Sequence, residues 1–314
     1  MGLRLVFLGT PRFAVPSLER LVAAGFQVQA VFTQPDRPSG RGQQPAASAV
    51  KEAALRLGLR VEQPLKVRQV ESVQMLRGLP VEAMAIVGYG QIIPPSILEI
   101  PPLGIINVHA SLLPRYRGAA PIQWAIACGE TRTGVTTMRI DAGLDTGDIL
   151  LTRETDIGPE ETAPELAGRL AAMGADLLVE TLEGLAAGAI AGRPQEHALA
   201  THAPILKKED GEVDWSRPAA EIHNRARGFQ PWPGAYTRFR GRLLHLWRTR
   251  IAEKSAACEP GRLMPAGRRL LVACGGGTAL ELLEVQLEGR KRIPAPDFLH
   301  GQRVANQETL GGKG

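Results

Sequence analysis

The sequence predicts an α/β protein whose first part is a parallel sheet wrapped by helices and whose second part is a small all-β domain. Three observations predict it. Strand-like and helix-like runs alternate up to about residue 185, short strands separated by Gly and Pro fill the C-terminal third, and the charge balance changes between the two.

Residues 3–8 read as a strand and 11–24 as a helix stopped by Gly25. Residues 28–33 are the next strand, and 48–57 a helix stopped by Gly58. Strands follow at 83–87, 105–109 and 135–140, with helices at 67–77 and 121–128 and one long helix at 163–185. From 186 to 208 the periodicity is lost, so the catalytic part is expected over 1–188, a linker over 189–206 and a second domain over 207–314. In that domain residues 236–242 alternate, which puts Tyr236, Arg238, Arg240 and Arg242 on one strand face; Arg248 and Arg250 repeat the pattern. Further strands at 261–264, 269–273 and 279–286 make a small β-barrel the natural reading.

The chain has 314 residues, 44% of them hydrophobic, enough to bury two cores. Up to residue 206 the net charge is −2; from Lys207 onward it is +7. A neutral half joined to a basic half suggests that the second holds a polyanion such as RNA while the first does chemistry, although a solvated basic surface has the same composition. Cys128, Cys258 and Cys274 are widely spaced, with no metal-ligand pattern, so a reducing compartment and a metal-free site are expected. Met1 leads almost at once into the first strand and no apolar run approaches membrane-spanning length, which predicts a cytoplasmic protein without a membrane anchor.

The chemistry concentrates in two stretches. Asn107 and His109 lie two apart on a strand and so share a face, offering a fixed donor and a titratable one. About thirty residues later a Gly-rich loop carries Asp145, which can orient and charge the imidazole. Such a trio suits attack on a carbonyl, since the developing oxyanion needs donors while the attacking group must lose a proton. There is no G-x-S-x-G elbow and no Cys–His arrangement, which favours direct transfer between two bound substrates. On spacing alone, Asn107 and His109 fit equally well as residues that satisfy backbone groups at a strand end. Gly9-Thr10-Pro11 closes the first strand without a dinucleotide or Walker pattern, so a tight turn at the floor of a cleft is expected; Gly88-Tyr89-Gly90 ends another strand at the same edge. The loop from Arg37 to Gly42 is too rich in Gly and Pro for a helix or strand, and exposes Arg37 and Arg41 on that edge.

These motifs resemble the folate-dependent formyltransferases. The resemblance rests on Asn107-x-His109-x-Ser111-Leu112-Leu113-Pro114 and Leu144-Asp145-Thr146-Gly147, and it extends along nearly the whole chain. It includes Phe7 to Ala14, Pro35 to Gly42, Gly88 to Gly90, Thr133 to Thr136, Phe229 to Tyr236 and Asp297 to Leu299. Its closest likeness is to the branch whose acceptor is methionyl initiator tRNA. It implies a Rossmann-like formyltransferase domain followed by an OB-like barrel, with Asn107, His109 and Asp145 catalytic. Folate would be bound by Ser111, Leu112, Leu113 and Pro114 and by Gly88, Tyr89 and Gly90. It further implies 10-formyltetrahydrofolate as formyl donor, no metal, the tRNA α-amino group as acceptor, and a monomer. Contacts to tRNA would come from Arg37, Arg41, Lys207, Arg238, Arg240 and Arg242. Gln43-Gln44-Pro45 stands where lysines are usual in the family, which alters the expected RNA contacts beside Arg41. The alternatives are a formyltransferase for a small amine, such as glycinamide ribonucleotide or an amino sugar nucleotide, and an RNA-binding module with an inactive formyltransferase half.

Overall fold

The computed structural model describes residues 2–39, 44–253, 258–306 and 308–311. They form two compact units. The first comprises Met1–Gly118, Thr133–Thr155 and Ala167–His202; the second comprises Ala119–Arg132, Asp156–Leu166 and Ala203–Gly314.

The chain begins with β1 (Arg4–Gly9), α1 (Val15–Ala23) and β2 (Gln27–Phe32), followed by the short β3 (Arg37–Ser39) and β4 (Gln44–Ala46). Next come α2 (Ala49–Arg56), β5 (Val61–Glu62), α3 (Val70–Arg77), β6 (Ala83–Val87), α4 (Pro95–Leu98) and β7 (Ile105–His109). After α5 (Pro121–Ala127), which lies in the second unit, follow β8 (Arg132–Arg139), β9 (Ile149–Asp156) and α6 (Ala163–Ala186). Ser48 starts α2 as expected of a cap, its hydroxyl accepting from the Lys51 N–H at 3.0 Å.

Seven strands line up as β5-β2-β1-β6-β7-β8-β9. The pairings from β5 through β7 are parallel, and β8 runs antiparallel to β7. The parallel sheet expected from the sequence thus ends in an antiparallel edge, a common way for doubly wound sheets to finish. Every residue of β6 is buried, and so is all of β1 beyond Arg4, as expected of parallel strands covered on both faces. β9 is a half-exposed edge strand that carries charge on its outer positions, and its polarity hid it in the sequence.

Strand order places the cleft. The chain leaves β1 toward β2 and β5, then returns to put β6 on the other side of β1, so β1 and β6 flank the topological switch point where such sheets bind ligands. The Thr10 hydroxyl after β1 donates to the Tyr89 carbonyl after β6 at 3.1 Å, and the Gln34 amide after β2 donates to the same carbonyl at 3.1 Å. Three strand ends are thereby tied together at one edge.

One expectation fails here. The segment after Arg37 is not wholly irregular, because β3 and β4 pair antiparallel with Pro38 opposite Pro45. A two-stranded ribbon tolerates proline, whose missing N–H matters only where a neighbouring strand would accept it. Arg41 lies outside the described residues; Arg37 is exposed, 3.5 Å from the Gln34 side-chain oxygen.

In the second unit, α7 (Ala219–Gly228) precedes β10 (Ala235–Phe239), β11 (Arg242–Ile251), β12 (Leu263–Ala266), β13 (Arg269–Ala273), β14 (Ala279–Leu287), β15 (Ile293–Pro294) and α8 (Ala295–Gln302). Its antiparallel sheet runs β10-β11-β14-β13-β12 with β15 on β14, over a core that includes Ile222, Phe239, Leu246, Leu270, Leu282 and Phe298. The strand expected to carry four cationic and aromatic residues on one face turns back in its middle. Arg240 and Gly241, with φ of 48° and 75°, form a two-residue hairpin turn between Phe239 and its partner Arg242. Positive φ at both positions marks the turn type whose twist suits a hairpin, so Arg238, Arg240 and Arg242 cannot share one face.

α7 also carries a buried histidine. His223 is 5% exposed, its Nδ1 2.9 Å from the Thr249 hydroxyl and its Nε2 3.3 Å from the Pro159 carbonyl. Burial lowers its pKa below the ordinary 6.5, against the opposing pull of the Pro159 carbonyl and Glu160, with Arg227 lowering it further. The unfolded chain therefore takes up this proton at a higher pH than the folded one, so the stability the group contributes is whole above pH 6.5 and is lost as pH falls toward the lower folded value. Thermal melts between about pH 7.5 and 5.5 should show a drop in stability that His223→Asn reduces. Equal drops in parent and variant would acquit His223.

Candidate active site

β7 presents Asn107 and His109 on one face, 8% and 5% exposed. The register fixes both, with Asn107 between Ile86 and Met138 and His109 beside Thr136. Among the described residues the Asn107 amide has no hydrogen-bond partner. The residue is nearly buried, but its amide is not sealed off, and its place at a strand end beside a histidine suits a ligand oxygen.

His109 is engaged on both sides. Its Nε2 lies 2.9 Å from the Tyr116 carbonyl, and its Nδ1 lies 3.6 Å from Asp145 Oδ2. Only the imidazolium can donate from both nitrogens at once. The second distance exceeds a direct hydrogen bond, leaving the Nδ1 edge the freer of the two. Asp145 Oδ2 also accepts from the Gly118 N–H at 2.9 Å. Both residues that face the ring adopt left-handed backbone, Tyr116 at φ 60° and Asp145 at φ 52°. Each costs roughly 1–2 kcal/mol for an L-residue.

The loop that bears Asp145 is held from within. The Asp141 carboxylate accepts from the Gly143 N–H at 3.0 Å and from the Thr146 hydroxyl at 2.8 Å. From outside, the Gln195 amide nitrogen donates to the carbonyls of Asp145 at 2.9 Å and Gly147 at 2.7 Å. The Gln195 oxygen accepts from Arg117 at 3.1 and 2.6 Å. Nothing in the sequence singles out Gln195, which falls in the segment expected as linker and carries no periodicity or motif.

Of the residues expected at the folate site, the structure distinguishes backbone from side chain. Gly88 and Gly90 are exposed at the end of β6, whereas the Tyr89 side chain is 1% exposed within the core and burial raises its phenol pKa. Gly88 has φ 58°, and a Cβ there would stand 2.9 Å from Pro11 Cγ, so the position admits only bare backbone. Ser111 is fully buried and donates its hydroxyl to the Arg115 carbonyl at 2.6 Å, shaping the loop. Leu113 is buried, while Leu112 and Pro114 stay half-buried as an apolar lip. Among the described residues no cluster of His, Cys, Asp and Glu is placed to hold a metal.

The cationic residues of the second unit are unequal. Arg240 is neutralised by Glu308 at 2.7 and 2.8 Å, and the Arg242 guanidinium donates to the Glu288 carbonyl. Lys207 and Arg238 are exposed, Arg238 donating to the Gly241 carbonyl at 3.1 Å.

Comparison with known proteins identifies the family. A family model described as formyl transferase matches residues 3–182, and one described as its C-terminal domain matches residues 205–303. A relative from Solibacter usitatus, named methionyl-tRNA formyltransferase, is 65% identical over 98% of this chain and 99% of its own length. Relatives of the same name from Koribacter versatilis and Geobacter sulfurreducens are 59% and 50% identical over at least 98% of both chains. Among solved structures, an N-formyltransferase from Helicobacter canadensis in complex with folinic acid and dTDP-3-aminofucose superposes with a TM-score of 0.69 at 18% identity, covering 89% of this chain and 98% of that one. HypX from Aquifex aeolicus in complex with tetrahydrofolic acid gives 0.65 at 16% identity, covering 98% of this chain and 49% of that one. At these identities the structures speak for the fold.

Gly147 tests how tightly the Asp145 loop is held. A Cβ there would stand 1.9 Å from the Arg139 carbonyl oxygen, so Gly147→Ala should lower unfolding free energy by about 1–3 kcal/mol in a urea titration. An unchanged midpoint would mean that the loop has room that this geometry denies it.

Proposed function

This chain belongs to the formyl transferase family, and from that premise we propose that it moves a formyl group from 10-formyltetrahydrofolate to the α-amino group of methionyl initiator tRNA, supporting translation initiation. The observation that carries the reading is the unspent Asn107 amide beside the His109–Asp145 pair at the end of β7. The names of relatives 50–65% identical over nearly the full length select the acceptor.

The donor brings a formyl group on a nitrogen of reduced folate. Exposed backbone at Gly88 and Gly90 lets a flat ring approach without meeting a side chain, and Leu112 and Pro114 offer apolar contact on the neighbouring loop. The acceptor amine attacks the formyl carbon. As the bond forms, negative charge gathers on the formyl oxygen, where the Asn107 N–H and the Nδ1 edge of His109 are the available donors. Asp145, 3.6 Å from His109, balances the imidazolium and takes part in removing the amine proton. Collapse of the adduct breaks the bond between the formyl carbon and the folate nitrogen, which leaves with the proton that the amine gave up, so donor and acceptor exchange a formyl group for a hydrogen. No covalent enzyme intermediate is needed.

The acceptor RNA is held by the field of the second half, +7 from Lys207 onward, with Lys207, Arg238 and Arg37 exposed to meet phosphate. Arg41 joins them on sequence grounds. Arg240, already paired with Glu308, contributes less than the sequence suggested. The reading carries with it a monomer working in the cytoplasm.

The deciding experiment offers the protein 10-formyltetrahydrofolate with charged initiator tRNA, charged elongator tRNA and small amines in turn. Initiator tRNA should be formylated best; formylation of small amines alone would replace this reading with the small-amine one. For the chemistry, Asn107→Ala should lower the single-turnover rate by about 10²–10³, the usual loss for an oxyanion donor worth about 2.7–4 kcal/mol. Asp145→Asn should lower it at least about tenfold with tRNA affinity little changed. Near-normal transfer in both variants would remove the trio from the mechanism.

A further inference from the structure

Gln195 makes every hydrogen bond its side chain can make while only 5% exposed, and each one ends on the backbone or neighbours of the catalytic loops. Both amide hydrogens go to carbonyls of the Asp145 loop, those of Asp145 itself and Gly147. Its oxygen takes two donors from Arg117. The orientation is unambiguous, since the flipped amide would set oxygen against carbonyls and hydrogen against a guanidinium. Arg117 stands between the two residues that grip the catalytic pair. On one side is Tyr116, whose carbonyl faces His109 Nε2; on the other is Gly118, whose N–H holds Asp145 Oδ2.

Arg117 is itself 5% exposed, and among the described residues it has no carboxylate within ion-pair distance; its remaining contact is His197 Nδ1 at 3.1 Å. A buried cation without a counter-ion is a costly component, and a protein retains it where its geometry is needed. Arg117 and Gln195 join the loop of residues 110–118 to that of 141–148, which no strand pairing does.

We propose that Gln195, acting with Arg117, is the positioning residue that sets the Asp145 carboxylate against His109, so that it governs the rate of transfer and not the binding of either substrate. The proposal rests on the catalytic reading of Asp145 given above.

Gln195→Glu separates this role from plain structural support. The variant keeps acceptors for Arg117 and even gives it a counter-charge, but it turns lone pairs toward the carbonyls of Asp145 and Gly147. The expected result is a single-turnover rate lower by about 100-fold, the scale of a misplacement near 1 Å, with KM for donor and tRNA within about twofold of the parent. The Gly118 amide should exchange with solvent faster as its bond to Asp145 loosens, while the amides of β6 keep their protection. Gln195→Met, which adds no charge, should show the same split and exclude a simple effect of the new carboxylate. Unchanged rate and Gly118 protection in Gln195→Glu would overturn the proposal, as would a loss shared equally by the β6 amides, which marks general destabilisation. Asp145→Asn measured alongside keeps the two claims apart. Normal transfer in that variant would refute the catalytic reading, whereas Gly118 exchange would still decide what Gln195 holds.

Discussion

His109 sits in a buried pocket of the first unit with an acceptor facing each ring nitrogen, and those two acceptors come from loops that would not meet by secondary structure alone. Tyr116 and Asp145 both deliver their oxygen from left-handed backbone, a conformation each residue adopts at a cost near 1–2 kcal/mol. Such strain persists only where the surroundings over-determine it. The surroundings here are a rigid sheet on one side and a set of hydrogen bonds on the other. Asn107 and His109 inherit their placement from the β6–β7–β8 register, so they need no further support. Asp145 has no strand to hold it and depends on Gly118, Gln195 and the turn at Asp141. The His109–Asp145 pair thus joins one partner fixed by the fold to another fixed by side chains.

Strand order decides where this pair stands in the sheet. β1 and β6 flank the point where strand order reverses, the place at which sheets of this kind bind ligands, and β7, next to β6, places His109 near that edge. Thr10 and Gln34 close the floor by meeting at the Tyr89 carbonyl, which frees the glycines on either side to stay bare. The Tyr89 ring points the other way and fills the core.

Much of this was legible in the sequence. The apolar runs of β1 and β6, alternating with helices stopped at Gly25 and Gly58, announced the doubly wound sheet, because strands buried on both faces leave unbroken apolar signatures. Asn107, His109 and Asp145 were legible as residue types that chemistry uses, and the resemblance joined them. Gln195 was illegible because hydrogen bonds to backbone carbonyls impose no pattern on a sequence. Arg240 misled for a different reason. Alternation from Tyr236 to Arg242 looks like one strand face, yet an Arg-Gly pair at positive φ turns the chain, and only then does Glu308 become its partner. At Ser111 and Tyr89 the side chains serve the loop and the core, which leaves their backbone as the part that can meet a ligand, since a motif marks a position without saying which way its side chain points.

The charge of the second half needs the same distinction between what a sequence counts and what a fold leaves available. Arg269 and Arg292 meet Glu281 and Glu284 of β14, and Arg240 meets Glu308 beyond α8, so the local cation count overstates what a phosphate would find. The net charge of +7 remains, because pairing redistributes charge without removing it. A polyanion therefore meets a broad attractive field more than a row of arginine fingers, which favours fast, salt-sensitive association over fixed contacts. Severing that field from the chemistry by a cut near residue 206 would do more than remove charge. Trp124 and Ala127 on α5 and Leu206 pack with Phe229, which such a cut deletes, so the truncated chain would expose an apolar cluster, and losing the burial of even one large side chain costs about 1.5–3 kcal/mol. Neutralising exposed cations one at a time in the full chain is the cleaner way to separate RNA capture from transfer, because it leaves the α5–α7 packing in place.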